Sequence, residues 1–243
     1  MDLDTGKIPL KGERKIVNLG ETGSTNTDLV ELIRRGEAKA GDIVCASRQT
    51  AGRGRRGNCF SSPDGGIYFS FAAQNKAGSL ATVCAGVAVA KTLEGSGYSP
   101  SIKWVNDVNL GGKKVCGILA EAVSGTDLCV IGIGVNLKAA ALPQELSETA
   151  TALDAENGTL PHAEELVGKT VAAYEELSLS GGAEVIGEYK KYLSFLGKEI
   201  VIKQTGEVCL AVDVNGSGEL VVVFPDGKRR VLNSGEISIK INK

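Results

Sequence analysis

Apolar residues along this chain come in two rhythms. Runs of β-branched and aromatic residues at Asp42–Ser47, Gly66–Ala73, Ser101–Val105, Val115–Val123 and Leu128–Val135 predict strands, with Gly111-Gly112 and Ser124-Gly125 as turn signals. Between them lie stretches with helical spacing. Ser24-Thr25-Asn26-Thr27-Asp28 is a start signal for a helix over about 26–35, in which Leu29, Val30, Leu32 and Ile33 supply the apolar face. Leu80–Leu93, rich in Ala and Val, predicts a buried helix ending near Gly95, and helical patterns return over 161–178 and 183–195. After Gly197 the pattern shortens to β-rich runs at Glu199–Lys203, Val208–Val214, Leu220–Phe224, Arg229–Leu232 and Ile237–Ile239. Turn signals at Asn215-Gly216 and Pro225-Asp226-Gly227 separate these runs, which is the pattern of a small barrel. The predicted class is α+β: a mixed sheet flanked by helices over 1–196, and a small β-barrel over 197–243.

Composition narrows the chemistry. At 243 residues and 42% hydrophobic content the chain has enough apolar material for a sizeable core. No run approaches the ~20 apolar residues of a membrane span, and Met1–Leu19 has no export signal. Six cysteines without C-x-x-C spacing read as free thiols, in keeping with a reducing, cytoplasmic setting. The single histidine, His162, sits at a predicted helix start and reads as a solvated surface residue, so Ser-His-Asp, Cys-His and multi-histidine metal chemistry are excluded.

Charge then singles out one segment. The net charge is −2, yet the 21 residues from Ile43 to Pro63 hold four arginines and no acid, with Gly52-Arg53-Gly54-Arg55-Arg56-Gly57 at the centre. Such a loop serves to grip an anion, and its glycines allow close backbone approach and mobility when empty. It spells G-x-G-x-x-G, but a dinucleotide-binding turn opens into a helix and has an acid about 20 residues on, whereas this loop leads into a strand. A P-loop is excluded because no Lys-Ser or Lys-Thr follows. Lys103-Trp104-Val105-Asn106-Asp107, followed by Lys113-Lys114-Val115-Cys116-Gly117, is either a charged hairpin or a site in which ammonium, indole, amide and carboxylate groups surround a glycine. Gly134-Val135-Asn136 adds an amide at another strand end.

In this order Ser24-Thr25-Asn26, Arg48 to Gly57, Lys103 to Asp107, Lys114 to Leu119 and Gly134 to Asn136 resemble the signature of biotin protein ligases. The resemblance extends over roughly 20–240, including an SH3-like barrel ending in Ser234-Gly235-Glu236-Ile237. It implies a class II synthetase-like catalytic fold that makes biotinyl-5′-AMP from biotin and ATP and passes biotin to a lysine of a biotin carboxyl carrier domain. The biotin carboxylate is already a nucleophile, so neutralising charge beside the α-phosphate is the main need, and a chain with one histidine meets it with arginines, a lysine and Mg²⁺.

By the same resemblance Ser24, Thr25, Asn26 and Gln49 would bind the biotin head group, with Gly52, Arg53 and Gly54 closing over it. Trp104 and Gly117 would line the apolar part. Arg55 and Lys114 would meet the biotin carboxylate and the phosphate, and Arg53, Arg56, Asn58, Asn106, Asp107 and Asn136 would face the nucleotide. Asp107 would serve Mg²⁺ and, in the transfer step, accept or orient the proton of the carrier lysine. Three positions depart from the family pattern: Asn58 stands where a basic residue is usual, Val105 where proline is usual, and Ser61 follows Phe60 where bulky aromatics are common. About 20 residues precede the first motif, too few for a DNA-binding winged helix, so a ligase without sequence-specific DNA binding is expected. A carboxylase subunit is the implied partner, and a homodimer is compatible with the resemblance. Two other classes remain open: a lipoate or octanoate ligase, which shares the catalytic fold, and a non-catalytic binder, either a biotin sensor or an RNA-binding module. Retention of both Lys114 and Asp107 favours catalysis.

Overall fold

In the computed structural model, which describes residues 3–10, 12–233 and 237–239, the predicted strands join into two main sheets. The first contains β1 (Ile16–Asn18), β3 (Ile43–Ala46), β5 (Gly66–Gln74), β6 (Ser101–Lys103), β7 (Asp107–Leu110), β8 (Lys113–Ala122) and β9 (Leu128–Asn136), in the order β1-β3-β5-β9-β8-β7-β6. Only β1 and β3 pair in parallel; the other neighbours are antiparallel, so the sheet is mixed. β2 (Glu21–Thr22) and β4 (Arg48–Gln49) form a short parallel pair beside it. The second sheet is antiparallel, with order β13-β12-β11-β10-β14, from β10 (Glu199–Ile202), β11 (Val208–Val214), β12 (Leu220–Val223), β13 (Arg229–Leu232) and β14 (Ile237–Ile239). The Ser234–Glu236 part of the expected barrel ending lies outside the described residues.

Period-2 alternation decides which face of the large sheet is filled. Ile67, Phe69 and Phe71 of β5 and Ile131, Ile133 and Val135 of β9 point into the main core, where α2 (Ala81–Glu94) and α3 (Ala163–Leu179) cover the sheet and α4 (Gly182–Lys191) packs on α2. α2 is buried over most of its circumference, which fits its Ala/Val composition and its near-absence of charge. The opposite face carries Val44, Ala72, Val123 and Val130 at one end, packed under Leu29 and Ile33 of α1 (Thr25–Arg34). At the other end it carries Gly117, Gly132 and Gly134. Glycines there leave the sheet uncovered by side chains of its own, and that gap holds the site.

Three local features differ from the sequence expectation. The strand predicted over Ser101–Val105 ends at Lys103, and the chain reverses through Trp104–Asn106, so that Asp107 opens the next strand opposite Lys103. Trp104 and Val105 look like strand residues but belong to the turn: Trp104 is buried, and its indole N–H donates to the Gly218 carbonyl, in the turn between β11 and β12, at 2.9 Å. The Trp104–Val105 peptide is cis. β7 was hidden by this misplacement, while the Gly111-Gly112 turn after it is as expected, both glycines having positive φ. The short strands β1, β2 and β4 were also missed, being too brief to show a period. No helix among the described residues is long and apolar enough to cross a membrane.

Candidate active site

The site begins with the register of the large sheet. Asp107 of β7 stands opposite Gly117 of β8, Gly117 opposite Gly134 of β9, and Gly134 opposite Tyr68 of β5. In the next row Leu119, Gly132 and Ser70 are aligned. A Cβ on Gly117 or Gly134 would lie 2.6 or 2.5 Å from the Phe60 ring, and one on Gly132 would lie 1.8 Å from Asn26 Oδ1. The glycines are therefore required by what lies on them: the loop aromatic on one row and an α1 amide on the other.

Around this floor is a cavity of about 200 Å³. The loop carrying Arg53, Gly54, Arg55, Arg56 and Asn58 forms one wall; Trp104, Asn106, Asp107 and Lys114 form another; Ser24, Thr25, Asn26 and Gln49 close the end near α1. Six lining side chains are Lys or Arg and one, Asp107, is acidic. Most residues singled out from sequence thus meet in one place. Gly52 does not line the cavity: a Cβ there would strike the Phe60 carbonyl at 2.4 Å, so its glycine serves close backbone packing. Asn136 lines a second cavity, of about 350 Å³, and its side-chain N–H donates to the Thr151 carbonyl. Cys59, Phe60, Lys103, Asp107, Lys114 and Lys203 border both cavities.

Ser24 starts α1 without a side-chain cap bond, so these residues do more than start a helix. Thr25 and Asn26 turn inward instead. Thr25 N–H donates to Gln49 Oε1 at 2.9 Å, Gln49 Nε2 to Ser62 Oγ at 2.8 Å, and Ser62 Oγ to the Phe60 carbonyl at 3.1 Å. The Thr25 hydroxyl lies 2.7 Å from Ser70 Oγ, which donates to Asn26 Oδ1 at 2.6 Å. A partly buried network of this kind, with each member satisfied, fixes the directions of its amides and hydroxyls.

Charge is also arranged in pairs. Lys114 Nζ is 2.6 Å from Asp107 Oδ1 and lies 5.2 Å from the Phe60 ring centroid. Arg55 donates to Asn106 Oδ1 at 3.4 Å, while Asn106 Nδ2 donates to the Ile118 carbonyl at 3.0 Å. Arg53 is engaged with Glu121 through two bonds, of 3.1 and 2.6 Å. Beneath the Trp104–Asn106 turn, the Tyr189 hydroxyl donates to the Val105 carbonyl at 3.1 Å; burial pushes its pKa up, with nearby Arg55 acting in the opposite sense. Val105 is thus held by contacts from α4. Arg56 takes the left-handed conformation, φ 57°, at the exposed crest of the loop.

Sequence reasoning missed Phe60 as a cover over the glycines, Lys203 just beyond β10, and Glu121. The spacing of Glu121 from Gly117, even along a strand, was the available signal for placing it on the site face.

Comparison with known proteins decides the family. Residues 21–137 match the Biotin/lipoate A/B protein ligase family and residues 195–240 the Biotin protein ligase C terminal domain. The biotin--[acetyl-CoA-carboxylase] ligase of Paracoccus denitrificans is 30% identical over 239 residues, covering 90% of this chain and 98% of that protein. The chain belongs to the biotin protein ligase family. As a member it is also similar to the bifunctional ligase/repressor BirA of Salmonella typhimurium, at 29% identity over 89% of this chain and 72% of the relative. The biotin protein ligase of Aquifex aeolicus, solved in complex with biotin and ATP, superposes with a TM-score of 0.79 at 27% identity, over 94% of this chain and 99% of that one. Among the ligase features, the second sheet accounts for the match to the C-terminal domain.

Proposed function

We infer that this protein is an ATP-dependent biotin protein ligase that forms biotinyl-5′-AMP and transfers biotin to a lysine of a biotin carboxyl carrier domain. The observation that carries the reading is the cationic cavity built on Gly117, Gly132 and Gly134, in a chain that belongs to this family. Two anions, a carboxylate and a triphosphate, must meet in it. Arg55 and Lys114 offset their repulsion and hold them in line, which is most of what this reaction requires. The polar group of Thr25, Asn26 and Gln49 offers directed donors and acceptors for the biotin head group, and Trp104 with the Phe60 ring supplies apolar wall. The second cavity, bordered by Asn136, takes the nucleoside side of ATP.

Mg²⁺ belongs to the proposal. Among the described residues there is no group of three or more His, Cys, Asp and Glu side chains that would hold a metal by itself. That suits an ion carried in on the triphosphate, which needs few protein ligands. Asp107 supplies a carboxylate, and Asn109 Oδ1, two residues along β7, is buried without a hydrogen-bond partner. Such hard oxygen donors fit Mg²⁺, which would neutralise phosphate charge there. In the transfer step Asp107 accepts or orients the proton of the incoming lysine. The partition into a catalytic unit, 1–196, and a C-terminal unit, 197–243, is part of the same reading.

The lipoate alternative loses support because the match of residues 195–240 is to a biotin ligase domain. A direct test adds biotin, ATP and Mg²⁺ to the protein and measures pyrophosphate. Biotin-dependent release is expected; biotin binding with no pyrophosphate would make the protein a sensor.

A further inference from the structure

Glu121 lines neither cavity, yet it ties the cationic loop to the cavity end formed by α1. Its carboxylate receives both guanidinium nitrogens of Arg53, at 3.1 and 2.6 Å, and Asn26 Nδ2 at 2.8 Å. Asn26 then passes the connection to Ser70, Thr25, Gln49, Ser62 and the Phe60 carbonyl. One hydrogen-bonded path thus starts at the entry to the loop, crosses the sheet face and returns to the loop's exit. Within the loop, Gly54 N–H donates to the Asn58 carbonyl and Phe60 N–H to that of Gly52, closing it into a hairpin-like unit. Such a unit moves as one body, so its attachment points decide where it sits. Arg53 is one of them.

The ion pair is half open to water, with Arg53 47% and Glu121 24% exposed, and an isolated pair of that kind contributes little to global stability. Its geometry is bidentate, however, and its acceptor is shared with a buried amide, so its effect is directional. β8 also carries Gly117 and Leu119 on the same face as Glu121, so the anchor and the cavity floor are one rigid strand.

We propose that Glu121 is a positioning residue that latches residues 52–60 over the cavity through Arg53 and sets the orientation of Asn26. A loop held this way retains an activated acyl phosphate and keeps water from it until the acceptor lysine arrives. The consequence for the intermediate rests on the ligase reading; the latch itself does not.

Glu121→Gln keeps one oxygen for Asn26 and removes the charge that holds Arg53. The test is amide hydrogen exchange in the ligand-free protein, together with the rate at which preformed biotinyl-adenylate leaves it. Exchange over 52–60 is expected to rise about tenfold in Glu121→Gln, and adenylate release to quicken about tenfold, with the unfolding temperature and the exchange of β5 and β9 unchanged. A merely structural role would instead lower the unfolding temperature and raise exchange throughout the sheet. Should Glu121→Gln not fold, Arg53→Gln gives the same reading of the loop. In the double variant, loop exchange should equal that of either single one. Unchanged exchange over 52–60 overturns the latch, as does faster exchange with parental adenylate release. If the parent makes no adenylate, the ligase reading fails and the exchange comparison still decides the latch.

Discussion

Lys114 and Asp107, on adjacent strands, form an ion pair of 2.6 Å at the border of both cavities. Under the proposed assignment, removing the lysine takes away a phosphate partner and leaves the Asp107 carboxylate repelling the incoming anions. For Lys114→Ala we expect biotin-dependent pyrophosphate release to fall about 10²–10³-fold, with thermal unfolding near that of the parent; a variant that makes and holds adenylate normally would show that the role is misassigned. Cysteines supply a second residue-scale check. Cys59 alone among the six free thiols is exposed, and it borders both cavities. Burial pushes Cys45 up to about 12 and Cys84 up to about 11, so at pH 8 they hold almost no thiolate. Iodoacetamide at that pH should add one group quickly, at Cys59, and biotin with ATP should slow the addition. Rapid labelling at several sites, or no protection, would contradict the packing or the position of the loop.

At the scale of elements, the site depends on what strands leave empty. β9 alternates apolar residues toward the helices with Gly132 and Gly134 toward the cavity, β8 sets Gly117 beside them, and Asn26 and Phe60 occupy the space so created. Gly132→Ala should push Asn26 out of its bonds to Ser70 and Glu121 and weaken biotin binding by about 1–3 kcal/mol, the range for polar groups left unpaired, as titration calorimetry would report; parental affinity would mean that the network is not part of the biotin subsite. Much of this was legible in sequence. The long strands announced themselves by their apolar β-branched and aromatic runs, α1 by its start signal and apolar spacing, α2 by its length and Ala/Val content, and the loop by a cluster of arginines in a chain of net charge −2. The Trp104–Asn106 turn was not legible, because an indole that bonds the Gly218 carbonyl looks, in sequence, like any strand aromatic. Nor was the Arg53–Glu121 pair, whose members lie 68 positions apart and meet only through the register of the sheet.

For the molecule as a whole, the C-terminal sheet is joined to the site rather than appended to it. Trp104 bonds Gly218, Lys190 of α4 pairs with Asp213 of β11 at 2.6 Å, and Ile200, Cys209 and Val222 continue the main core. Lys203, just beyond β10, reaches the border of both cavities, where a triphosphate would pass. Lys203→Gln should raise the KM for ATP about threefold, the scale of a solvent-facing charge contact, and leave biotin binding measured without nucleotide unchanged. An equal change in biotin affinity would place Lys203 elsewhere. All these elements serve one claim, that the chain activates biotin and delivers it to a carrier lysine. The measurement that tests it most directly is the intact mass of a biotin carboxyl carrier domain after incubation with the protein, ATP and Mg²⁺, with biotin in one reaction and lipoate in another. A gain of one biotinyl group in the biotin reaction alone is predicted; no gain in either, or a gain with lipoate, would contradict it.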